Sequence, residues 1–233
     1  MSRRARVIPN CPHHIIHRGN NRRRLFSYPR DYHKLIAQLH DAVAATSCKV
    51  HALCLMANHL HAIVTPPSAE AMAEFVKGFA QRYARYRNDK RNGSGKLFEG
   101  PYWREPIKSV FHLAAATMYI DRNPVAAGVK QSPEDYRWST FRQHAGVAKP
   151  ERWIAALCTP TDWWLGLGNS DGARAAAYAR LFDQYSATAL AKEQARFFAQ
   201  LEGRNRRDYK RLERPDGSRA SEGPENARYG LKR

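Results

Sequence analysis

Leu55-Met-Ala-Asn-His-Leu-His-Ala-Ile-Val64 is the stretch on which the reading of the chain turns. His59 and His61 stand two apart among residues that are otherwise apolar or small. Successive side chains of a β-strand alternate between faces, so both imidazoles point one way and Leu60 and Ala62 the other. Two imidazoles on one strand face make half of a metal site. They fit equally well as two polar positions on the wet face of an amphipathic strand. The surrounding sequence has to decide.

Upstream, Lys49 to Met56 alternates as a strand, and Ala57-Asn58 is a turn from which the histidine strand runs back to Pro66. Asn58 suits that turn because its side chain can satisfy nearby backbone groups, a structural role before a catalytic one. Pro29 to Ala45 reads as a helix, with Leu35, Leu39 and Val43 at four-residue spacing. Before it, His13-His-Ile-Ile-His-Arg18 is a short strand closed by the turn Gly19-Asn20-Asn21. Downstream, Met72, Phe75, Val76, Phe79, Tyr83 and Tyr86 keep helical spacing over residues 69–91, and read as core. Leu97 to Lys108 is irregular chain leading into a fourth strand. A further helix starts at the N-cap Ser109 and is expected to stop at Asn123, because Pro124 disfavours helical geometry in its predecessor.

The first six elements, strand, helix, strand, strand, helix, strand, give an α+β, ferredoxin-like (split βαβ) antiparallel sheet with helices on one face. The helix after them is an addition. The expected organisation is a basic arm at 1–12, the main domain at 13–145, a helical C-terminal extension at 146–202 and a basic disordered tail at 203–233. Two helices are expected in the extension, at 172–185 and 187–201, while 125–164 resists assignment.

Lys and Arg number 39 against 21 acidic residues, a formal charge of +18 over 233 residues. Such a field attracts polyanions, and nucleic acid is the commonest. No apolar run is long enough to span a bilayer and no signal-peptide pattern is present, so the expected location is the cytoplasm. Cys11, Cys48, Cys54 and Cys158 lack zinc-ribbon spacing and read as free thiols. Arg3, Arg4, Arg6, Arg18, Arg22, Arg23 and Arg24 cluster around the first strand, and Arg82, Arg85, Arg87, Lys90 and Arg91 share one helix. Both groups are candidate phosphate contacts, the first ahead of the second.

Chemistry centres on Thr117-Met-Tyr-Ile-Asp-Arg-Asn123, where Tyr119 and Asn123 are four apart and share a helix face. Taken alone, Tyr119 fits a half-buried packing tyrosine. Turned toward the histidine strand, that face would add an amide oxygen and a phenol to the two imidazoles.

Here the residues carry a resemblance. The 55–64 strand resembles the histidine–hydrophobe–histidine strand of single-tyrosine HUH transposases, and Tyr119-Ile-Asp-Arg-Asn-Pro124 resembles their nucleophile helix. His14-Ile-Ile-His-Arg-Gly-Asn-Asn21, Lys96-Leu-Phe-Glu-Gly100 and Asn123-Pro-Val-Ala-Ala-Gly128 followed by Pro133-Glu-Asp-Tyr-Arg-Trp-Ser139 point to one branch, the REP-associated tyrosine transposases. The resemblance is strong over residues 7–145.

It implies a metal-dependent single-stranded DNA endonuclease and strand transferase. Tyr119 would be the nucleophile, and His59, His61 and Asn123 the ligands of Mg2+ or Mn2+. Asn123 stands where insertion-sequence members have Gln. The implied substrate is a repetitive extragenic palindrome folded as an imperfect hairpin with a 5′ guide tetranucleotide, and the implied intermediate is a 5′-phosphotyrosine. A nucleoid-associated monomer is expected, although insertion-sequence relatives are dimers. Two other readings stay open: a non-cleaving hairpin DNA- or RNA-binding regulator of the same fold, and an unrelated metal hydrolase. Against the hydrolase, acidic residues are absent from the histidine strand and sparse around it.

Overall fold

Alternating and helical hydrophobic periods resolve into the expected elements in the computed structural model, which describes residues 5–147 and 151–188. The order is β1 (His13–Arg18), α1 (Pro29–Thr46), β2 (Lys49–Met56), β3 (His59–Thr65), α2 (Ala69–Lys90), β4 (Trp103–Pro106) and α3 (Val110–Ala126). Four further helices follow: α4 (Phe141–Ala145), α5 (Arg152–Leu157), α6 (Asp162–Leu165) and α7 (Asp171–Ala187). The expected 172–185 helix is α7. The 187–201 helix and the 203–233 tail fall on residues outside those described, as do Arg3 and Arg4.

The strands form one antiparallel sheet in the order β2-β3-β1-β4. Residues directly opposite across antiparallel strands share a face. Ile16 stands opposite His61 and Arg18 opposite His59 on one side, with Cys54 and Met56 opposite the same histidines on the other. These residues, with His14 and Trp103, make the histidine face. Ile15, Leu53, Leu55, Leu60 and Val64 make the reverse face, over which α1 and α2 lay Leu35, Leu39, Phe75 and Phe79. His17, also on the reverse face, meets Phe79 edge-on with ring centres 6.2 Å apart.

The added helix α3 lies on the histidine face, so the sheet is covered on both sides and β3 is buried except at its last residue. That excludes the wet-face reading of the two histidines. A buried polar side chain must find partners or cost free energy, so such a pair has to be satisfied from within.

Helix starts follow their caps. The Ser68 hydroxyl accepts from Ala71 N at 3.1 Å and the Ser109 hydroxyl from His112 N at 3.1 Å. The α3 terminus departs from expectation, running three residues past Asn123 with Pro124 inside it. Proline removes its own amide bond and crowds the carbonyl four residues back, yet here the helix continues through it. The last carbonyls are taken up regardless, Asn123 O by Ala127 N, Pro124 O by Val129 N and Val125 O by Gly128 N, each at 2.9 Å. Asn123 is thereby a residue of continuous helix rather than of a fraying end.

Two of the helical basic residues are not free for a ligand. Asp31, fully buried, accepts from Arg87 Nη1 at 2.5 Å, Lys90 Nζ at 2.7 Å and Tyr86 Oη at 2.8 Å. Arg87 and Lys90 therefore fasten α2 to α1, because a buried carboxylate draws in the nearest cations.

The segment that resisted assignment seals the outer edge of β2. Leu55 N donates to Trp138 O at 2.9 Å, Thr140 N to Leu53 O at 2.9 Å and Thr159 N to Val50 O at 2.7 Å. An open edge would invite pairing with another chain. Behind it, α4 and α7 pack through Phe141 and Phe182, ring centres 4.8 Å apart.

Candidate active site

His59 opens β3 directly after the hairpin turn, and the turn orients it. His59 Nδ1 lies 2.7 Å from Asn58 Oδ1, which can only accept, so the ring proton sits on Nδ1 and the lone pair on Nε2. Asn58 also satisfies backbone, as expected of a turn residue: its Nδ2 donates to Arg22 O at 3.4 Å and its carbonyl accepts from Gly19 N at 2.7 Å. The loop carrying Arg22, Arg23 and Arg24 is thus held against the histidine end of the sheet. Only glycine fits at position 19, where a Cβ would stand 2.2 Å from Arg23 O. The 96–100 motif joins the same corner, with Asn20 N donating to Leu97 O at 2.7 Å and Glu99 N to Arg18 O at 2.8 Å. Arg18 and Glu99 form an ion pair.

His61 is engaged at both ring nitrogens. Its Nε2 lies 3.0 Å from Asn123 Nδ2, and its Nδ1 lies 3.0 Å from His14 Nε2. The same Asn123 amide reaches Tyr119 Oη at 3.2 Å. With the amide N–H aimed at Nε2, the lone pair lies there and the His61 proton lies on Nδ1; with the amide turned over, its oxygen faces the same nitrogen. The His59 and His61 ring centres are 4.9 Å apart and those of His61 and Tyr119 5.7 Å apart. All of this is interior: the exposures are 1% for His59, 0% for His61 and Asn123, and 3% for Tyr119. Burial, helped by the nearby His112, pushes the His14 pKa down to about 3, so that ring is neutral at physiological pH.

Two donors on neighbouring positions of an octahedral ion with bonds of 2.0–2.1 Å stand about 3 Å apart. The His61–Asn123 spacing matches that value once the amide presents its oxygen. Two imidazoles and one amide, without thiolate or carboxylate, suit an open and partly hydrated divalent ion better than a closed structural zinc site. Among the described residues no group of three or more His, Cys, Asp or Glu could hold a metal ion. An ion here therefore depends on Asn123.

The structure brings His59, His61, Tyr119 and Asn123 together. Arg18, Arg22, Arg23 and Arg24 border the same end of the sheet, and Arg6 is exposed ahead of β1. Arg82 and Arg85 lie on α2, exposed on the far side of the sheet from the histidines, and Arg82 donates to Gln38 O at 3.1 Å. Beside the site, a cavity of about 250 Å³ is bounded by Ile16, Arg18, Glu99, Tyr102 and Trp103, among others.

Sequence reasoning gave no role to two residues. His14 belongs to a motif that was noticed, but its contact with His61 depends on strand register. Asp121 sits between Tyr119 and Asn123 on the opposite helix face. Its buried carboxylate accepts from Thr140 Oγ1 at 2.8 Å, His144 Nδ1 at 2.7 Å and Tyr178 Oη at 2.7 Å, tying α3 to α4 and α7. Burial, reinforced by that carboxylate, raises the Tyr178 pKa well above its usual value.

The site is thus a histidine pair on a split βαβ sheet, roofed by a helix bearing a tyrosine and an amide. Residues 7–123 match the family described as "Transposase IS200 like", and the chain belongs to that family. In fold it is similar to a solved REP-associated tyrosine transposase bound to a REP hairpin. The TM-score is 0.52 and the identity 20%, over 63% of this chain and 87% of the other. No curated protein matches the sequence. Among the described residues no helix is long and apolar enough to cross a membrane.

Proposed function

We propose that the chain cleaves and rejoins single-stranded DNA at hairpins formed by repetitive extragenic palindromes, with Tyr119 as nucleophile. The observation that carries this reading is one amide, Asn123, lying 3.2 Å from the Tyr119 phenol and 3.0 Å from His61 Nε2. Nucleophile and ion site are thereby one constellation. The hairpin substrate is supported by the ligand of the structural neighbour and by the formal charge of +18.

His59, His61 and Asn123 would hold Mg2+ or Mn2+, which when bound supplies charge neutralisation at the scissile phosphate. Tyr119 Oη attacks phosphorus as its phenolic proton passes to solvent, which returns a proton to O3′. The bond from phosphorus to O3′ breaks, and O3′ leaves as a hydroxyl once protonated. The product is a 5′-phosphotyrosine and a free 3′-hydroxyl. Attack by another 3′-hydroxyl reverses the exchange and returns the proton to Tyr119, so rejoining needs no external energy source. A phenol with a pKa of about 10 is a weak nucleophile at neutral pH. Arg18, Arg22, Arg23 and Arg24, at the same end of the sheet, are the cations that would hold flanking phosphates.

The test is to incubate the protein with labelled hairpin DNA and Mg2+ or Mn2+ and look for a covalent adduct. The native protein should form one, and Tyr119→Phe and His61→Ala should not, while Tyr119→Phe still binds hairpin. An adduct with Tyr119→Phe refutes the nucleophile. Tight binding by native protein without any adduct would establish the non-cleaving regulator instead.

A further inference from the structure

We infer that His14 is a positioning residue of the ion site, holding His61 in the one tautomer that keeps the ring proton off Nε2. The inference rests on the ion-site reading given above.

The two nitrogens of His61 lie on opposite edges of its ring. Asn123 addresses Nε2 and His14 addresses Nδ1, each at 3.0 Å. His14 is therefore behind the ring and is not a third imidazole ligand. A neutral imidazole carries one proton, and the hydrogen bonds at its two nitrogens together decide which is left with the lone pair. With the proton on Nδ1 and donated to His14 Nε2, the lone pair of His61 faces Asn123. If the proton moved to Nε2, the edge toward Asn123 would carry a hydrogen and could not bind a cation.

The arrangement repeats at the neighbouring ligand. His59 Nδ1 is 2.7 Å from Asn58 Oδ1, so both histidines of the pair are steered from behind to the same tautomer. Outer groups of this kind fix ring orientation, and their loss typically weakens metal affinity 10–100-fold. His14 is 2% exposed and wedged in place. Trp103 meets it edge-on with ring centres 5.4 Å apart, and the Tyr119 ring centre is 6.0 Å away.

The test uses the full-length protein and two readouts. Long-range proton–nitrogen NMR of the metal-free protein reports which nitrogen of each histidine is protonated, and Mn2+ titration gives the affinity. In native protein His61 should carry its proton on Nδ1. His14→Leu should give a mixture of tautomers at His61 and weaken Mn2+ binding about 10–100-fold. His14→Gln, whose side-chain oxygen can accept in place of Nε2, should restore the native tautomer and most of the affinity. A His14→Leu protein with native tautomer and native affinity overturns the inference. Should His14→Leu fail to fold, His14→Gln decides alone: native tautomer and affinity support it, and a folded protein with weak binding overturns it. His61→Ala separates the two levels, because undiminished Mn2+ binding there refutes the ion site itself rather than the role of His14.

Discussion

Replacing Asp121 by Ala removes the acceptor on which three helices converge. Thr140 Oγ1 keeps a second acceptor, Leu53 O at 3.3 Å, but among the described residues the His144 Nδ1 and Tyr178 Oη donors have only this carboxylate. A buried donor left without a partner costs about 1–3 kcal/mol, so two cost about 2–6 kcal/mol. A domain of this kind is stable by about 5–15 kcal/mol, so the loss is a large share of the whole. Asp121→Asn keeps the shape and one oxygen but weakens charge-assisted bonds to neutral ones, with an expected cost of about 1–3 kcal/mol. Urea unfolding followed by tryptophan fluorescence would measure both, since Trp164 donates from Nε1 to His144 O at 3.2 Å within the same cluster. The order should be Ala below Asn below native, and adding Tyr178→Phe to Asp121→Ala should cost less than it does in native protein. An Ala variant within about 1 kcal/mol of native, or additive behaviour of the pair, would refute the claim that this carboxylate fastens α3.

Acid sensitivity should trace to Asp31. Burial alone would raise its pKa, but Lys90, the Ser27 amide, Tyr86 and Arg87 together lower it from 3.8 to about 2. A lowered carboxyl stabilises the fold above its unfolded pKa and loses that contribution as pH falls through the folded one. Urea midpoints should therefore show the advantage of native protein over Asp31→Asn narrowing by about 2 kcal/mol between pH 5 and pH 2; a constant gap contradicts the assignment. Gly19→Ala should shift the 19–23 loop, because the new methyl would meet Arg23 O at 2.2 Å although φ of −66° permits alanine. A stability loss of about 1–3 kcal/mol and weaker hairpin binding are expected, and an unchanged melting temperature would show that the loop has room.

The sheet and the helices α1 and α2 were legible because their periods are long and their bounding residues, Pro29, Ser68, Ser109 and the Ala57-Asn58 turn, are explicit. The end of α3 was misread because Pro124 is a local signal, whereas the carbonyls that rescue the last turn are satisfied from Ala127, Gly128 and Val129. The edge segment around Trp138 and Thr140 is too short to alternate, and only the presence of β2 makes it pair. At the site, strand parity brings His59 and His61 to one face and helical spacing does the same for Tyr119 and Asn123. What no local pattern supplies is the face of the sheet on which α3 lands. His14 and Asp121 stayed invisible for that reason, since each acquires its role from a residue 47 or 57 positions away. Arg87 and Lys90 read as candidate phosphate contacts because Asp31, almost sixty residues earlier, gives no local sign that it will be buried beside them.

The depth of the histidine pair bears on how tightly any DNA can be held. On the proposed reading, with Tyr119 only 3% exposed, a phosphate would reach its phenol only in members of the ensemble in which α3 has drawn away from the sheet. The measured dissociation constant is then the intrinsic one divided by the fraction of molecules that are open. If one molecule in a hundred is open, affinity falls about a hundredfold, or about 2.7 kcal/mol. On the far side of α3, Asp121 joins the helix to His144 and Tyr178, and such an opening would have to strain those bonds. Residues remote from Tyr119 would thereby tune apparent affinity, and variants that loosen this anchorage would trade stability for access.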